Sequence, residues 1–180
     1  HFLLTELLVD RLKESAPSRI VNVASIAHRA GQISFADPMF EVRAYDGMAA
    51  YSQSKLANIL HANELARRLE GTGVTANSLH PGGVASGFGS AEDTSGLTRF
   101  GMAIIRPFLI DSAKGAQTSV YLAASPEVEG VTGQYFVRSR PHNPSSRARD
   151  PEAAERLWTL SEELVAEGEA RRADRGPGSA

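Results

Sequence analysis

The sequence has no cysteine among its 180 residues. Disulfide bonds, thiolate metal sites and a cysteine nucleophile are therefore excluded. The five histidines show neither HxH nor HxxxH spacing, so a zinc site is not expected. A strong excess of one charge is also lacking, since the formal net charge is −2. This argues against a nucleic-acid partner, because a phosphate-binding surface is usually strongly basic.

Long hydrophobic runs are scarce. The apolar stretch at residues 100–110 is too short to span a bilayer and contains Arg106 and Pro107. It is better interpreted as a segment that covers a pocket, and the sequence predicts a cytoplasmic protein. The chain opens on His1, directly in an apolar run, which predicts that an N-terminal part is missing. A membrane anchor in that part stays an open alternative.

Helical and strand patterns alternate along the chain. Apolar spacing predicts helices over residues 2–15, 48–70, 112–124 and 151–170, and strands over residues 19–25, 74–80 and 134–137. Residues 26–48 are predicted to form a long irregular connection, and residues 171–180 a disordered tail. Such alternation is typical of right-handed βαβ crossovers in a parallel sheet.

A doubly wound fold has about six strands, and three are predicted in this sequence. We therefore expect an α/β protein that forms the C-terminal half of a doubly wound parallel-sheet (Rossmann-like) fold. Residues 1–170 would form the C-terminal part of this single domain. The strand at residues 19–25 would then expose an unpaired edge.

The segment Tyr51-Ser-Gln-Ser-Lys55 places a phenol and an ammonium one helical turn apart. A free phenol, with a pKa near ~10, is a poor proton-transfer group at neutral pH, but a nearby cation favours the phenolate. Such a pair can exchange a proton with an alcohol or a ketone. Chance spacing is the alternative. The context favours chemistry, because Ser25 and Pro81-Gly82 end two predicted strands at the carboxyl edge, where ligands bind in parallel sheets.

With these features the chain resembles the short-chain dehydrogenase/reductase superfamily, and within it the branch of retinol-dehydrogenase-like and WW-domain-oxidoreductase-like proteins. The resemblance is found in the segments HFLLTELLVDRLKES, SRIVNVASIAH, YSQSKLAN, ELARRLEGTGVTANSLHPGGV and GAQTSVYLA, which occur in family order. It implies an NAD(P)-dependent oxidoreductase that transfers hydride between nicotinamide and an alcohol or carbonyl group, with residues 1–170 as the C-terminal catalytic part of a single NAD(P)-binding domain. The choice between NAD and NADP stays open.

The resemblance also implies roles for single residues. Tyr51 would be the catalytic acid/base, Lys55 would support it and hold the nicotinamide ribose, and Ser25 would hydrogen-bond the substrate oxygen. The positions expected beside the nicotinamide are Pro81, Gly82, Val84 and Ser86, the last standing where the family usually has threonine. The family's glycine-rich phosphate loop and its active-site asparagine are absent from the sequence, so activity is expected to require a further N-terminal part.

The expected substrate is a small hydrophobic alcohol, aldehyde or ketone, covered by residues 97–110. A homodimer through the helix at residues 2–15 and the helix of Tyr51 is possible. The main alternative is a catalytically inert remnant that acts only through binding or dimerisation. A Ser25–His80 hydrolase is disfavoured, because no G-x-S-x-G elbow is present. Asn22 and Asn58 are better explained by backbone contacts than by a proton relay.

Overall fold

A computed structural model describes residues 1–82 and 112–174. Its helices are α1 (Phe2–Glu14), α2 (Gly47–Arg68), α3 (Ser112–Ala124) and α4 (Pro151–Asp174). Its strands are β1 (Ser18–Val23), β2 (Val74–His80), β3 (Tyr135–Val137) and β4 (Arg140–Pro141). Short 3-10 turns cover Ile26–Ala30, Pro126–Val128 and Ser146–Arg149. The four predicted helices and three predicted strands are all present, each within a few residues of its predicted bounds.

The four strands form one sheet in the order β1-β2-β3-β4. β1 pairs parallel to β2, with Val23 opposite Leu79, and β2 pairs parallel to β3, with Ser78 opposite Tyr135. Within the described residues β1 pairs on one side only, as its predicted open edge requires. The prediction of an α/β, Rossmann-like fold with a parallel sheet is confirmed.

The short strand β4 was not predicted. It runs antiparallel to β3, and Arg138 and Ser139 between them have φ angles of 51° and 58°. Two consecutive left-handed residues make the tight hairpin turn whose twist matches the strands. The usual sequence signal for that turn is Asn-Gly or Asp-Gly, and neither is present here, which explains the omission.

The helix α2 forms the centre of the core. Asp46 caps it, because its Oδ1 atom accepts a hydrogen bond from the Ala49 amide at 2.8 Å. One face of the helix packs on the sheet and another on α4. The fully buried apolar side chains of α2 are Leu56, Ile59, Leu60, Ala62 and Leu65. Each buried leucine or isoleucine contributes roughly 1.5–3 kcal/mol, so α2 is held rigidly where it presents its first turns.

The first helix divides its apolar residues between two environments. Phe2, Val9 and Leu12 pack partly buried against the core around Trp158. The other apolar side chains of α1 are exposed, namely Leu3, Leu4, Leu7 and Leu8. The apolar stripe of α1 therefore packs against the core along one edge only.

The last helix continues to Asp174. The prediction that a disordered tail begins at residue 171 is therefore wrong for residues 171–174. An ion pair between Arg171 and Glu167, at 3.1 Å and one turn apart, favours the helix there. Residues 175–180 lie outside the described residues, and a single domain over residues 1–170 stays a prediction.

None of the helices in the described ranges combines the length and the apolar character that a membrane crossing requires.

Candidate active site

Two strand ends meet at the carboxyl edge of the sheet. The Ala24 amide donates to the Leu79 carbonyl at 2.7 Å, just beyond the last paired residues of β1 and β2. Ser25 and Pro81 therefore follow neighbouring strands at one edge, as predicted from the sequence. Pro81 and Gly82 are half-buried. Gly82 has a φ of 93°, a backbone conformation that favours glycine.

Two of the positions expected beside a nicotinamide, Val84 and Ser86, lie outside the described residues, and so does the segment at residues 97–110. Their assignments stay predictions.

Ser25 caps the 3-10 turn that follows β1. Its Oγ atom accepts a hydrogen bond from the Ala27 amide at 3.3 Å. Its carbonyl oxygen accepts two bonds from His28, one from the backbone amide at 3.1 Å and one from Nδ1 at 2.7 Å. The side chain is partly exposed at the sheet edge, so the hydroxyl is both oriented and accessible.

Tyr51 and Lys55 lie on the second and third turns of α2, and both are partly exposed. The Nζ atom of Lys55 lies 5.4 Å from the centre of the Tyr51 ring. This is within the ~6 Å range of cation–π attraction. The structure thus brings the predicted phenol and ammonium together on one face of the helix.

Two buried asparagines fix α2 against β1 just below the site. The Asn58 side-chain amide donates to the Val23 carbonyl at 3.0 Å. The Asn22 amide donates to the Asn58 carbonyl at 3.2 Å and contacts Nδ1 of His61 at 3.1 Å. The backbone contacts predicted for Asn22 and Asn58 are confirmed. They tie the strand that leads to Ser25 to the helix of Tyr51 and Lys55.

The chain segment after Ser25 also reaches α2 directly. The turn Ile26–Ala30 packs on the helix, and Gly31 follows it. A Cβ atom at Gly31 would stand 2.4 Å from the Ser52 carbonyl oxygen. Only a residue without a side chain allows this approach, which joins the Ser25 segment to the turn that carries Tyr51.

His80 is engaged in its own turn. Its Nδ1 atom accepts a hydrogen bond from the Gly82 amide at 3.4 Å. Burial lowers the pKa of His80 below its usual value. Within residues 1–82 and 112–174, no hydrogen bond joins His80 to Ser25.

Gln53 anchors the long connection to α2. Its Oε1 atom accepts from the Ser34 amide and from the Arg43 guanidinium, both at 3.1 Å, and its Nε2 atom donates to the Pro38 carbonyl at 2.9 Å. This role was not predicted from the sequence. The sequence feature that could have indicated it is the position of Gln53 between Tyr51 and Lys55.

His28 was also missed. It is fully buried, and its imidazole bridges the Ser25 carbonyl and the Ser145 amide. Its spacing of three residues from Ser25 suits a 3-10 turn, but its second partner lies 117 residues away in sequence.

Among the residues that the structure describes, no group of three or more histidine, aspartate or glutamate side chains could hold a metal ion.

Comparisons with known proteins place this geometry in a family. Retinol dehydrogenase 13 of Mus musculus is 48% identical over 168 residues, which are 92% of this chain and 50% of that protein. Retinol dehydrogenase 14 of Homo sapiens is 48% identical over 166 residues, 92% of this chain and 49% of that protein. The chain thus spans about half the length of the curated relatives it matches.

A solved structure, that of an uncharacterized protein from Mycobacterium paratuberculosis, superposes with a TM-score of 0.67. It is 31% identical, and the match covers 92% of this chain and 55% of the other. The family model for short chain dehydrogenases matches residues 1–95, more than half of the chain. The chain belongs to the short-chain dehydrogenase family.

Proposed function

We propose that this chain supplies the proton-transfer and nicotinamide-facing part of an NAD(P)-dependent oxidoreductase that acts on a hydrophobic alcohol or carbonyl compound. The observation on which the proposal chiefly rests is that two strand ends lie at one edge of the sheet and that the segment after Ser25 contacts α2 next to Tyr51. Ser25 follows β1, Pro81 follows β2, and the Gly31–Ser52 contact joins the Ser25 segment to α2. Family membership over residues 1–95 supports the same reaction class.

The donors at this edge fit the nicotinamide and ribose half of a dinucleotide. Tyr51 and Lys55 present a hydroxyl and an ammonium, which suit ribose hydroxyls as partners. Gly82 has no side chain, so a planar ring can approach the backbone there. When bound, the coenzyme supplies or accepts the hydride. NAD and NADP are equally compatible with these residues.

In the direction of alcohol oxidation, the Tyr51 oxygen accepts the proton of the substrate hydroxyl. The carbon that bears this hydroxyl gives up hydride to the coenzyme and becomes a carbonyl carbon. The Lys55 ammonium lies 5.4 Å from the centre of the Tyr51 ring, so its positive charge stands beside the group that exchanges the proton. Ser25 donates a hydrogen bond to the substrate oxygen and stabilises the charge that develops on it. In the direction of reduction, Tyr51 returns the proton.

The hydrophobic substrate class has support beside the site. Four large apolar side chains lie exposed in the segment that leads into the Tyr51 turn, namely Met39, Val42, Tyr45 and Met48. Exposed apolar groups gathered in one short segment favour an apolar ligand surface. The relatives named retinol dehydrogenase make a retinoid alcohol or aldehyde the first substrate to test. The homodimer and the cytoplasmic location stay predictions.

The test is turnover by the full-length natural protein, with NAD(H) and NADP(H) supplied in turn and retinol, retinal and short-chain controls as substrates. Tyr51→Phe should lower kcat by at least about 10²-fold, because general acid–base catalysis typically contributes that much. Tyr121→Phe is the matched control, since the Tyr121 hydroxyl contacts Glu127 after α3 and has no part in the proposed site. Lys55→Ala should also lose turnover, and Lys13→Ala on α1 should not.

Wild-type turnover in Tyr51→Phe would show that the proton-transfer role is wrong. Absence of turnover with every alcohol and carbonyl substrate, in a protein that binds neither coenzyme, would favour the inert alternative.

A further inference from the structure

The buried imidazole of His28 has a defined protonation state. Burial lowers the pKa of His28 below its usual value, which favours the neutral ring. Its Nδ1 atom lies 2.7 Å from the Ser25 carbonyl, which can only accept, and its Nε2 atom lies 3.1 Å from the Ser145 amide, which can only donate. The proton therefore sits on Nδ1, and both ring nitrogens are satisfied.

His28 is one of several links between the segment after Ser25 and residues 143–148, which we call the C-terminal strap. The Arg29 guanidinium donates to the Asn143 carbonyl at 3.2 Å. The Arg147 guanidinium donates to the Gly31 carbonyl at 3.1 Å. The strap is fixed to α2 in turn, because the Asn63 side chain donates to the Ala148 carbonyl at 2.9 Å.

The links differ in their environment. Arg29 and Arg147 are exposed, so water competes for their hydrogen bonds, whereas the His28 ring has no exposed surface and packs edge-on against Tyr135 at 5.2 Å. A buried hydrogen bond is costly to break because its partners are left unpaired away from water. Of these three links, that of His28 is therefore expected to restrain the Ser25 backbone most strongly.

We propose that His28 is a positioning residue, which holds Ser25 in its productive orientation by linking the Ser25 carbonyl to the Ser145 amide of the C-terminal strap. The inference rests on the proposed oxidoreductase function, in which Ser25 acts on the substrate oxygen. His28 itself touches neither substrate nor coenzyme in this role. It acts on the backbone from which the Ser25 hydroxyl projects.

Two variants cut the link from opposite sides. His28→Leu removes both ring nitrogens. Ser145→Pro replaces the amide hydrogen that faces Nε2 with a ring carbon, so it removes the donor and forces Ser145 and the His28 ring apart, although the φ of −62° at Ser145 is one that proline adopts. His142→Leu is the matched control, since His142 is exposed and adjoins the strap. His28→Gln keeps one donor and one acceptor and should rescue part of the loss.

In the full-length protein, both cutting variants should lower kcat by roughly 10- to 100-fold, the range expected when a reacting group is misplaced by up to about 1 Å. The KM for the coenzyme should stay near that of the wild type, because Ser25 is assigned to the substrate oxygen. The decisive readout is a double-mutant cycle. In the Ser25→Ala background, His28→Leu should have no further effect on kcat, whereas a general loss of structure would lower kcat again by the same factor.

A second measurement does not depend on activity. Hydrogen exchange of the backbone amides in residues 24–31 should accelerate by roughly tenfold in Ser145→Pro, which is the factor that corresponds to one net hydrogen bond. An unchanged exchange rate would overturn the proposal, as would additive effects of His28→Leu and Ser25→Ala. Loss of turnover in Ser25→Ala and Tyr51→Phe with normal turnover in His28→Leu would refute the role of His28 alone. Wild-type turnover in Tyr51→Phe would refute the proposed function. The hydrogen-exchange experiment would still show whether the link through His28 restrains the backbone around Ser25.

Discussion

Replacing Gly31 with alanine should separate the Ser25 segment from the helix that carries Tyr51. The new methyl group would stand 2.4 Å from the Ser52 carbonyl oxygen and 2.9 Å from the Ser52 carbonyl carbon. Ordinary van der Waals contact begins at 3.4 Å, so the methyl group and the Ser52 carbonyl oxygen must move apart by about 1 Å. The obstacle is helix backbone, which has no rotamer to change, so the whole segment has to shift.

The expected cost has two parts. Overpacking of this kind lowers the free energy of unfolding by about 1–3 kcal/mol. A displacement of about 1 Å between reacting groups lowers turnover by up to about 10²-fold. Unfolding in urea can be followed by the fluorescence of Trp158, the single tryptophan of the chain, which is 5% exposed.

The matched control is Gly168→Ala, because a Cβ atom at that position of α4 would have no neighbour within 4 Å. That substitution should raise the free energy of unfolding by roughly 0.5–1 kcal/mol, as expected for glycine to alanine within a helix. If Gly31→Ala unfolds within about 0.5 kcal/mol of the wild type and keeps its turnover, the close contact does not hold the two segments together as we infer.

Two further predictions concern the buried polar groups below the site. Burial lowers the pKa of His61 from 6.5 to about 4. At a pH between these two values, His61 is protonated in the unfolded chain and neutral in the folded chain. Stability should therefore fall as the pH falls through this window, by roughly 3 kcal/mol in total, and His61→Leu should remove that dependence while the exposed His142→Leu keeps it. Asn58→Ala should lower the free energy of unfolding by about 1–3 kcal/mol, because the Val23 carbonyl loses its donor. The control Asn143→Ala, at an exposed position, should change the free energy of unfolding little. Equal effects of the two substitutions would contradict the inference that the Asn58 hydrogen bond holds α2 against β1.

The elements that were predictable from the sequence are those with a strong local pattern. The apolar spacing of α2 and the glycine that follows it predict both ends of that helix to within two residues. That glycine, Gly71, has a φ of 77°. The β-rich run at residues 74–80 matches β2 at both ends. The strand β4 had no such pattern, because it is two residues long and depends on an unusual turn. Periodicity therefore predicts elements that bury several residues each, and it does not detect pairing that depends on one turn.

The edge of the sheet could also be anticipated, because parallel strands necessarily end on the same side. This is why Ser25 and Pro81 could be expected together from two separate segments, and the structure places them so. The phenol and ammonium of α2 followed from spacing on one helix, which is again a local rule.

What could not be anticipated depends on contacts between distant segments. Gly31 has a φ of −70°, which any residue adopts, so the sequence and the backbone angle alone would allow alanine there. Only the approach of Ser52, 21 positions along the chain, makes the missing side chain necessary. His28 is similar, since its neighbour in sequence explains one ring nitrogen and Ser145 explains the other. Residue type and spacing thus identify the groups that perform the proposed chemistry, whereas the groups that hold them in place are identified by their three-dimensional neighbours.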